Sequence, residues 1–234
     1  MKNFEVEEIH KIYNKIKLSP DYFRKYEKIR DSLDLVDWSK QRIGHSEAEM
    51  DVGRLFCIMD FIEWVKKYNI SPEKALLTSD DPELPYIQCH QTTMIDYDRD
   101  KKYDLHTLDL EEKNFDFFIF SQTLEHLYNP FLAVEKISNH LKSGAWLFTS
   151  VPTVNIPHMT PIHFEHFSPM GLAMLFEVHG FEVMEIGHYG SKKYINYIFD
   201  KLSWPKYQDM MDKEGKIEND PNMPCQSWIL TKKR

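Results

Sequence analysis

Two groups of polar side chains in the second half of the chain have the types and spacing that chemistry requires. Gln122, Glu125 and His126 are spaced i, i+3 and i+4, so on a helical segment all three can face one end. A later loop rich in proline contributes His158, His163 and His166. A neutral histidine near pH 7 can remove a proton from a hydroxyl group, which makes His126 and His163 candidate general bases. Histidines with a purely structural role are the alternative.

The same residues offer donors for a metal ion. Carboxylate oxygens and imidazole nitrogens suit Mg²⁺, Mn²⁺ or a similar ion better than a thiolate-bound zinc. We therefore expect, as a second use of this region, a divalent metal site at Glu125, His126 and His163.

A strand, a helix and a second strand must position these side chains. The apolar run at residues 115–120 predicts a strand that is buried on both faces. Apolar positions recur at helical spacing over residues 124–141, and a lysine and a glycine in residues 142–144 end this helix. A second apolar run, residues 145–151, predicts the next strand. Ligands bind beyond the carboxyl ends of such strands, which is where residues 121–126 fall.

The remaining sequence predicts an α/β domain with a doubly wound sheet. Further strands are expected at residues 75–78, 92–95, 103–110, 181–186 and 227–230, which makes seven in all. Ser46 and Glu49 form a capping box before a helix that ends near Asn69. Ser168-Pro169 begins a helix through Glu177. Strands that alternate with helices are typical of a Rossmann-like sheet with helices on both faces.

The chain is expected to divide into a helical cap over residues 1–70 and the sheet domain over residues 71–234. Within the domain, residues 191–226 form an aromatic-rich insertion between the last two strands. The insertion is a cover over a substrate, a contact between identical subunits, or a small hydrophobic cluster of its own.

Composition excludes several classes of function. The 29 Lys and Arg residues are outnumbered by 37 Asp and Glu residues, so the basic field of a nucleic-acid-binding protein is missing. The three cysteines are far apart and form no CxxC pair, which argues against a disulfide framework and favours a reducing compartment. No apolar run approaches the roughly 18 residues of a membrane span. We expect a cytoplasmic protein with no nucleic-acid partner and no membrane span.

The segment FDFFIFSQTLEHLYNPFLAVEKISNHLKSGAWLFTSVP, residues 115–152, resembles the class I S-adenosylmethionine-dependent methyltransferases, in the group related to small-molecule and sugar O-methyltransferases. It shares with them an FD strand, a polar step, Leu-Glu-His, a helix into LKSG and a strand ending in VP. Residues 166–183 resemble the late helix and strand of that family, and SWILTKK, residues 227–233, its antiparallel last strand. The resemblance covers roughly residues 74–190 and implies S-adenosylmethionine as the cofactor.

The resemblance also implies which residues bind the cofactor. Asp96 matches the acidic position that pairs with the ribose hydroxyls, because a carboxylate accepts two hydrogen bonds from a vicinal diol; Asp98 is the rival. Asp109 and Leu110 match the position that binds adenine through a side-chain acceptor and a backbone amide. Two further residues are expected to border the point of methyl transfer, Ser121 and Gln122.

The turn after the first strand departs from the family. Members usually carry glycines there, whereas residues 77–82 read LTSDDP. Glycine is favoured where φ is positive and a ligand comes close, but aspartate also tolerates left-handed geometry. Asp80 or Asp81 can therefore take the place of glycine, and we expect Ser79 and Asp80 to contact the cofactor. An impaired cofactor site is the alternative.

The segment from Gln122 to His126 resembles the Glu-x-x-Glu-His pattern with which some members of this fold bind a divalent metal, with glutamine in place of the first carboxylate. A metal there would chelate adjacent sugar hydroxyls and lower the pKa of the acceptor. Metal-free methyltransferases also carry Leu-Glu-His at this point, where it serves packing and hydrogen bonding.

The function that follows is methyl transfer from S-adenosylmethionine to a hydroxyl of a small polar acceptor. Residues 151–164, the aromatic insertion and residues 228–233 resemble methyltransferases that accompany glycosyltransferases in surface-glycan synthesis, which makes a sugar or glycan the first expectation for the acceptor. Association with a glycosyltransferase or formation of a homo-oligomer is expected on the same ground. The alternatives are an inactive scaffold protein that keeps the fold, and an N-methyltransferase.

Overall fold

The structure is a computed structural model that describes residues 5–16, 50–79, 81–158 and 162–234. Its strands are β1 (Lys74–Leu77), β2 (Gln91–Met94), β3 (Phe115–Ile119), β4 (Leu141–Pro152), β5 (Phe181–Tyr189) and β6 (Gln226–Lys233). Its α-helices are α1 (Val6–Ile16), α2 (Val52–Lys67), α3 (Pro130–Ser138), α4 (Pro169–Glu177), α5 (Lys192–Lys201) and α6 (Tyr207–Met210). Within the described ranges, none of the helices combines the length and the apolar character that crossing a bilayer requires.

The strands form one mixed sheet in the order β2-β1-β3-β4-β6-β5. The four strands β2, β1, β3 and β4 are parallel, and β6 runs antiparallel to both β4 and β5. This arrangement confirms the α/β, Rossmann-like fold and the antiparallel last strand.

The central strands are buried on both faces, as the unbroken apolar runs predicted. On one face, Phe118 and Leu147 pack in a cluster with α3 and α4. On the other face, Phe117 and Phe148 pack with α2 and with the insertion. Two hydrophobic layers therefore hold the carboxyl ends of β1 and β3 in place.

The expected strand at residues 103–110 is not formed, so the described residues contain six strands where seven were predicted. Residues Lys101–Tyr103 form a 3₁₀ turn instead, because the Asp100 carboxylate accepts a hydrogen bond from the Lys102 amide at 3.1 Å. Asp104 then accepts one from the His106 amide at 2.9 Å. Such bonds from aspartate side chains to nearby amides compete with a strand ladder.

The helix predicted over residues 124–141 is shorter. Asn129 caps the amide of Leu132, and Pro130 occupies the first turn, so α3 begins there and Leu124–His126 is a separate 3₁₀ turn. The prediction that residues 142–144 end the helix was wrong, since Leu141 already pairs with Phe115 in the sheet. The pairing shifts register before Phe117, and Gly144 has a φ of +80°, as expected of a bulge.

Helix α2 is an integral part of the core. Its N-cap is Asp51, whose side chain accepts a hydrogen bond from the Arg54 amide at 3.0 Å. The predicted cap residues Ser46 and Glu49 lie outside the described residues. The Trp228 indole of β6 donates to the buried Asp60 carboxylate at 2.9 Å, which fixes α2 against the sheet. The division of the chain near residue 70 remains a prediction.

The aromatic insertion between β5 and β6 serves two purposes. Tyr194 and Tyr207 are almost fully buried and extend the core beneath α2. Trp204 is 41% exposed and lines a surface cavity.

Candidate active site

A cavity of about 340 Å³ lies beyond the carboxyl ends of β1, β2 and β3, the edge at which the sequence predicted ligand binding. Thr78, Asp96 and Gln122 line it, each from just beyond one of these strands. Ile162 and Phe164 line it from the loop after β4. We call it the strand-end cavity.

Asp96 is held in this cavity by a local turn. Its Oδ1 accepts a hydrogen bond from the Asp98 amide at 2.9 Å, and its Oδ2 lies 3.0 Å from the Arg99 guanidinium. The Asp96 side chain is 26% exposed, whereas that of Asp98 is 82% exposed. Of the two candidates, Asp96 is therefore the oriented carboxylate.

The structure does not bring Asp109 and Leu110 to the cavity. The Asp109 side chain is 82% exposed beside Lys113, and the Leu110 amide donates to the His140 ring at 2.9 Å. An earlier Asp-Leu pair, Asp104 and Leu105, lines the cavity instead.

Asp104 is oriented by a stacked aromatic pair. The His106 Nδ1–H donates to its Oδ1 at 2.7 Å, because the other ring nitrogen accepts from the Asn129 amide at 3.3 Å. The Tyr128 ring stacks on His106 with centroids 3.9 Å apart. One wall of the cavity thus presents a fixed carboxylate beside flat aromatic surface.

The turn after β1 contains no left-handed residue among those described. Ser79 is exposed and donates to Asp81 at 3.0 Å, and Asp80 lies outside the described residues. The left-handed conformation occurs at Gln122, which has a φ of +51° after β3. Its amide donates to the Ser150 carbonyl at 2.7 Å, and its side chain donates to the Ser150 hydroxyl at 3.1 Å.

Two residues close to Gln122 in sequence, Ser121 and Glu125, are buried. Ser121 does not line the strand-end cavity, and its hydroxyl donates to the buried Glu83 carboxylate at 3.3 Å. Glu125 has no exposed surface, and neither carboxylate oxygen has a hydrogen-bond partner among the described residues. Burial raises the pKa of Glu125 to about 8.

A histidine cluster lies beside Glu125. It consists of four rings, His126, His158, His163 and His166. Burial lowers the pKa of His126, and burial together with the neighbouring rings lowers the pKa of His163 to about 4. Both rings are therefore neutral near pH 7, the form that accepts a proton or binds a metal.

The loop that carries these histidines is docked on the 3₁₀ turn after β3. The Phe164 amide donates to the Glu125 carbonyl at 2.7 Å, and the His126 Nδ1 lies 2.8 Å from the Ile162 carbonyl. This docking joins the histidine cluster to the strand-end cavity.

A second cavity of about 460 Å³ lies on the other side of Gln122, and we call it the Arg54 cavity. Arg54, Trp204 and Gln226 line it from three different elements. The Arg54 guanidinium is 23% exposed and 3.9 Å from Asp81. The nearby carboxylates, Glu83 foremost, raise its pKa above its ordinary value although burial opposes this.

Sequence reasoning missed Asp104, Leu105 and Arg54. The repeated Asp-Leu dipeptide, five residues apart, was the available signal for the first two. Arg54 is a lone cation in the first turn of an apolar helix, and only the folded chain brings it next to Gln122.

Comparison with known families identifies the class. A family model described as "Methyltransferase domain" matches residues 33–186, about two thirds of the chain. The chain belongs to this family and is an S-adenosylmethionine-dependent methyltransferase of class I. A sequence search of curated proteins gives no match.

Solved structures give weaker likenesses. An S-adenosylmethionine-dependent methyltransferase from Clostridium acetobutylicum is 11% identical with a TM-score of 0.49, over 90% of this chain and 98% of that one. The 1,6-didemethyltoxoflavin-N1-methyltransferase from Burkholderia thailandensis is 12% identical with a TM-score of 0.48. The match covers 100% of this chain and 93% of that one. TehB from Haemophilus influenzae is 15% identical with a TM-score of 0.49. The match covers 86% of this chain and 67% of that one.

The residues of the strand-end cavity fit the cofactor of this family. A ribose needs an acceptor for two hydroxyls, and Asp96 supplies a carboxylate. An adenine needs a polar edge contact and apolar surface, and Asp104, Leu105 and Tyr128 supply them.

Proposed function

We propose that this methyltransferase acts on a hydroxyl group of a small polar acceptor. One observation carries the proposal: the strand-end cavity is lined by Gln122 and His126, and His126 belongs to a cluster of histidines that includes neutral rings. The same cavity therefore presents carboxylates that suit an adenosine and a group able to accept a proton.

We assign the cofactor contacts to residues that line the strand-end cavity. Asp96 accepts hydrogen bonds from the ribose hydroxyls, and Asp104 with the Leu105 amide binds the adenine edge. In this proposal the pair Asp104 and Leu105 replaces Asp109 and Leu110, since only the first pair lines the cavity.

The amino-acid end of the cofactor is assigned to the turn after β1 and to Arg54. Arg54 is the cation beside Gln122, so it suits a carboxylate. Asp81 and the backbone around Ser79 suit an ammonium. Side-chain charges thereby take over what a glycine-rich turn does elsewhere through its backbone.

The histidines handle the proton of the acceptor. Bound S-adenosylmethionine supplies an electrophilic methyl group on a sulfonium. The His126 Nδ1–H donates to the Ile162 carbonyl, which leaves the lone pair on Nε2 free to accept the hydroxyl proton. The sequence also named His163 for this role, but its Nε2 lies 3.0 Å from the Glu165 carbonyl and its Nδ1 lies 3.0 Å from the His158 ring, so we assign the role to His126. Fixed rings beside Gln122 also help to align the acceptor.

A sugar or glycan remains our first choice of acceptor, on the resemblance of residues 151–164, the aromatic insertion and residues 228–233 to methyltransferases that accompany glycosyltransferases. An amine acceptor is the second candidate, because the carboxylates of Asp51, Asp81 and Glu83 lie near Arg54, which is the one cation among the described residues that line the Arg54 cavity. An excess of negative charge favours a cationic substrate.

The test is formation of S-adenosylhomocysteine with two acceptor panels, nucleotide sugars and primary amines. Turnover with the sugars, reduced about 100-fold or more by His126→Ala, supports the proposal. The matched control is His90→Ala, which changes a histidine whose side chain is 76% exposed and outside the cluster. Turnover with amines alone would contradict a hydroxyl acceptor.

A further inference from the structure

Glu125 is the residue that the proposed methyl transfer leaves unexplained. Its carboxylate is fully buried, and no hydrogen bond to it is made by the described residues. Among the described residues, the nearest group that could carry a positive charge is the His126 ring, whose Nε2 lies 3.9 Å from Oε1. A buried carboxylate of this kind is stable when it is protonated or when it binds a cation.

The surrounding donors have the spacing of a metal site. The ligand atoms of Glu125, His126 and His158 all lie within 4.8 Å of one another. Ligands of one ion lie about 2.0–2.3 Å from it, so three evenly spaced ligands are at most about 4.0 Å apart. A movement of roughly half an ångström by each donor brings the three onto one ion.

Hydrogen bonds outside the set determine which ring nitrogen of His126 and of His158 keeps its lone pair. The His126 Nδ1–H is used by the Ile162 carbonyl at 2.8 Å, so the lone pair is on Nε2. The His163 Nε2–H is used by the Glu165 carbonyl at 3.0 Å, so its Nδ1 can only accept. That Nδ1 lies 3.0 Å from the His158 Nδ1, which must therefore donate. The His158 lone pair is left on Nε2, where a metal can bind it.

We propose that Glu125, His126 and His158 bind a divalent transition-metal ion and that His163 is a positioning residue that orients His158. The set differs from the expected Glu125, His126 and His163, because both ring nitrogens of His163 are engaged in hydrogen bonds.

Two imidazoles and one carboxylate are the donors of sites that bind Fe²⁺ or Mn²⁺, and they suit these ions better than Mg²⁺. The inference rests on the proposed methyl transfer to a hydroxyl and changes the role of His126 in it. An ion held here would supply Lewis acidity that lowers the pKa of a hydroxyl acceptor, so that its proton passes to water, and His126 would then be a ligand rather than the base.

The probe is Mn²⁺, and binding is measured by electron paramagnetic resonance. The spectrum of the free ion should weaken when protein is added. Glu125→Gln keeps the shape of the side chain and removes the charge, so it should fold at least as well as the wild type and bind Mn²⁺ at least about 100-fold more weakly. His158→Ala should weaken binding similarly. His90→Ala serves as the control and should bind like the wild type.

His163→Ala tests the positioning role. The variant should bind Mn²⁺ about tenfold more weakly than the wild type. In the absence of metal, its melting temperature should equal that of the wild type. Unchanged Mn²⁺ binding in Glu125→Gln or in His158→Ala, or a free-ion spectrum unaffected by wild-type protein, would overturn the metal site. Titration with S-adenosylhomocysteine without metal separates the two proposals: cofactor binding without Mn²⁺ binding refutes only the metal site, and Mn²⁺ binding without cofactor binding refutes only the cofactor contacts.

Discussion

The two halves of the sheet connect their strands in different ways. In the half formed by β1 and β2, residues 78–90 and 95–114 contain 3₁₀ turns and, among those described, no α-helix. In the half from β3 to β6, the connections contain α3, α4, α5 and the short α6, and the three longer helices begin with side-chain caps from Asn129, Ser168 and Ser191.

The half with 3₁₀ turns provides the binding residues, and the half with capped helices provides most of the stability. The first half presents Asp96 and Asp104, each oriented by hydrogen bonds within its own turn. The second half contains the buried aromatic residues that join the sheet to α2. We therefore expect substitutions in the first half to change cofactor affinity, and substitutions in the second half to change the free energy of unfolding.

The largest effect on stability is expected at Gly187 in β5. A Cβ atom there would lie 2.1 Å from the Trp228 indole nitrogen and 2.6 Å from the Asp60 carboxylate. Gly187→Ala should therefore lower the free energy of unfolding by about 3 kcal/mol or more, measured by urea denaturation. Thr92→Ala, in the exposed part of β2, is the matched change in the first half and should stay within about 0.5 kcal/mol. An equal loss of stability in the two variants would contradict the difference between the two halves.

Asp51, the N-cap of α2, should make stability depend on pH. Burial raises its pKa from 3.8 to about 6, so the folded protein holds this proton more tightly than the unfolded chain does. The stabilisation is complete below about pH 4 and is lost as the pH rises to about 6, with a total of roughly 2–3 kcal/mol. Asp51→Asn keeps a capping side chain and removes the titration. The wild type should lose stability relative to this variant over that interval, and parallel pH profiles would count against the assignment.

Ser168 and Asn129 test the capped helices. Replacing either by alanine removes an acceptor for an amide in the first turn, from Gly171 or Leu132, and should lower the free energy of unfolding by about 1 kcal/mol. Asp100→Ala removes the corresponding bond from an exposed turn of the first half and should shift the urea midpoint less than either. A larger shift for Asp100→Ala would contradict the division.

A smaller effect, of opposite sign, is expected at Gln122, where the two halves meet. Its positive φ is unfavourable for a residue with a side chain, so Gln122→Gly should raise the free energy of unfolding by up to about 1 kcal/mol. The same variant loses the side chain between the two cavities and should lower the rate of methyl transfer. A destabilised variant would show that the bond from the side chain to Ser150 outweighs the strain.

Local sequence signals predicted the second half well. The apolar run of β3 and the Ser168-Pro169 start of α4 appear in the structure as predicted, because burial and capping act over a few residues. Leu141 was misassigned because a helical period and a strand both fit it, and the bulge that decides between them depends on the partner strand.

The first half was harder to predict because its structure depends on which aspartate bonds to which amide. Asp104 and Asp109 each precede a leucine, and only the turn made by Asp104 brings its dipeptide to the cavity. His158 was one of several candidate ligands, and the hydrogen bond that it donates to His163 distinguishes it in the folded chain. Spacing alone cannot show such contacts between distant segments.

The central claim is that the strand-end cavity binds the adenosine part of the cofactor. Calorimetric titration with S-adenosylhomocysteine tests it most directly when wild type, Asp96→Ala and Asp98→Ala are compared. We expect the wild type to bind, Asp96→Ala to bind about 10–100-fold more weakly through the loss of hydrogen bonds to a charged acceptor, and Asp98→Ala to bind like the wild type. Binding by Asp96→Ala with wild-type affinity, or no binding by folded wild type, would contradict the account.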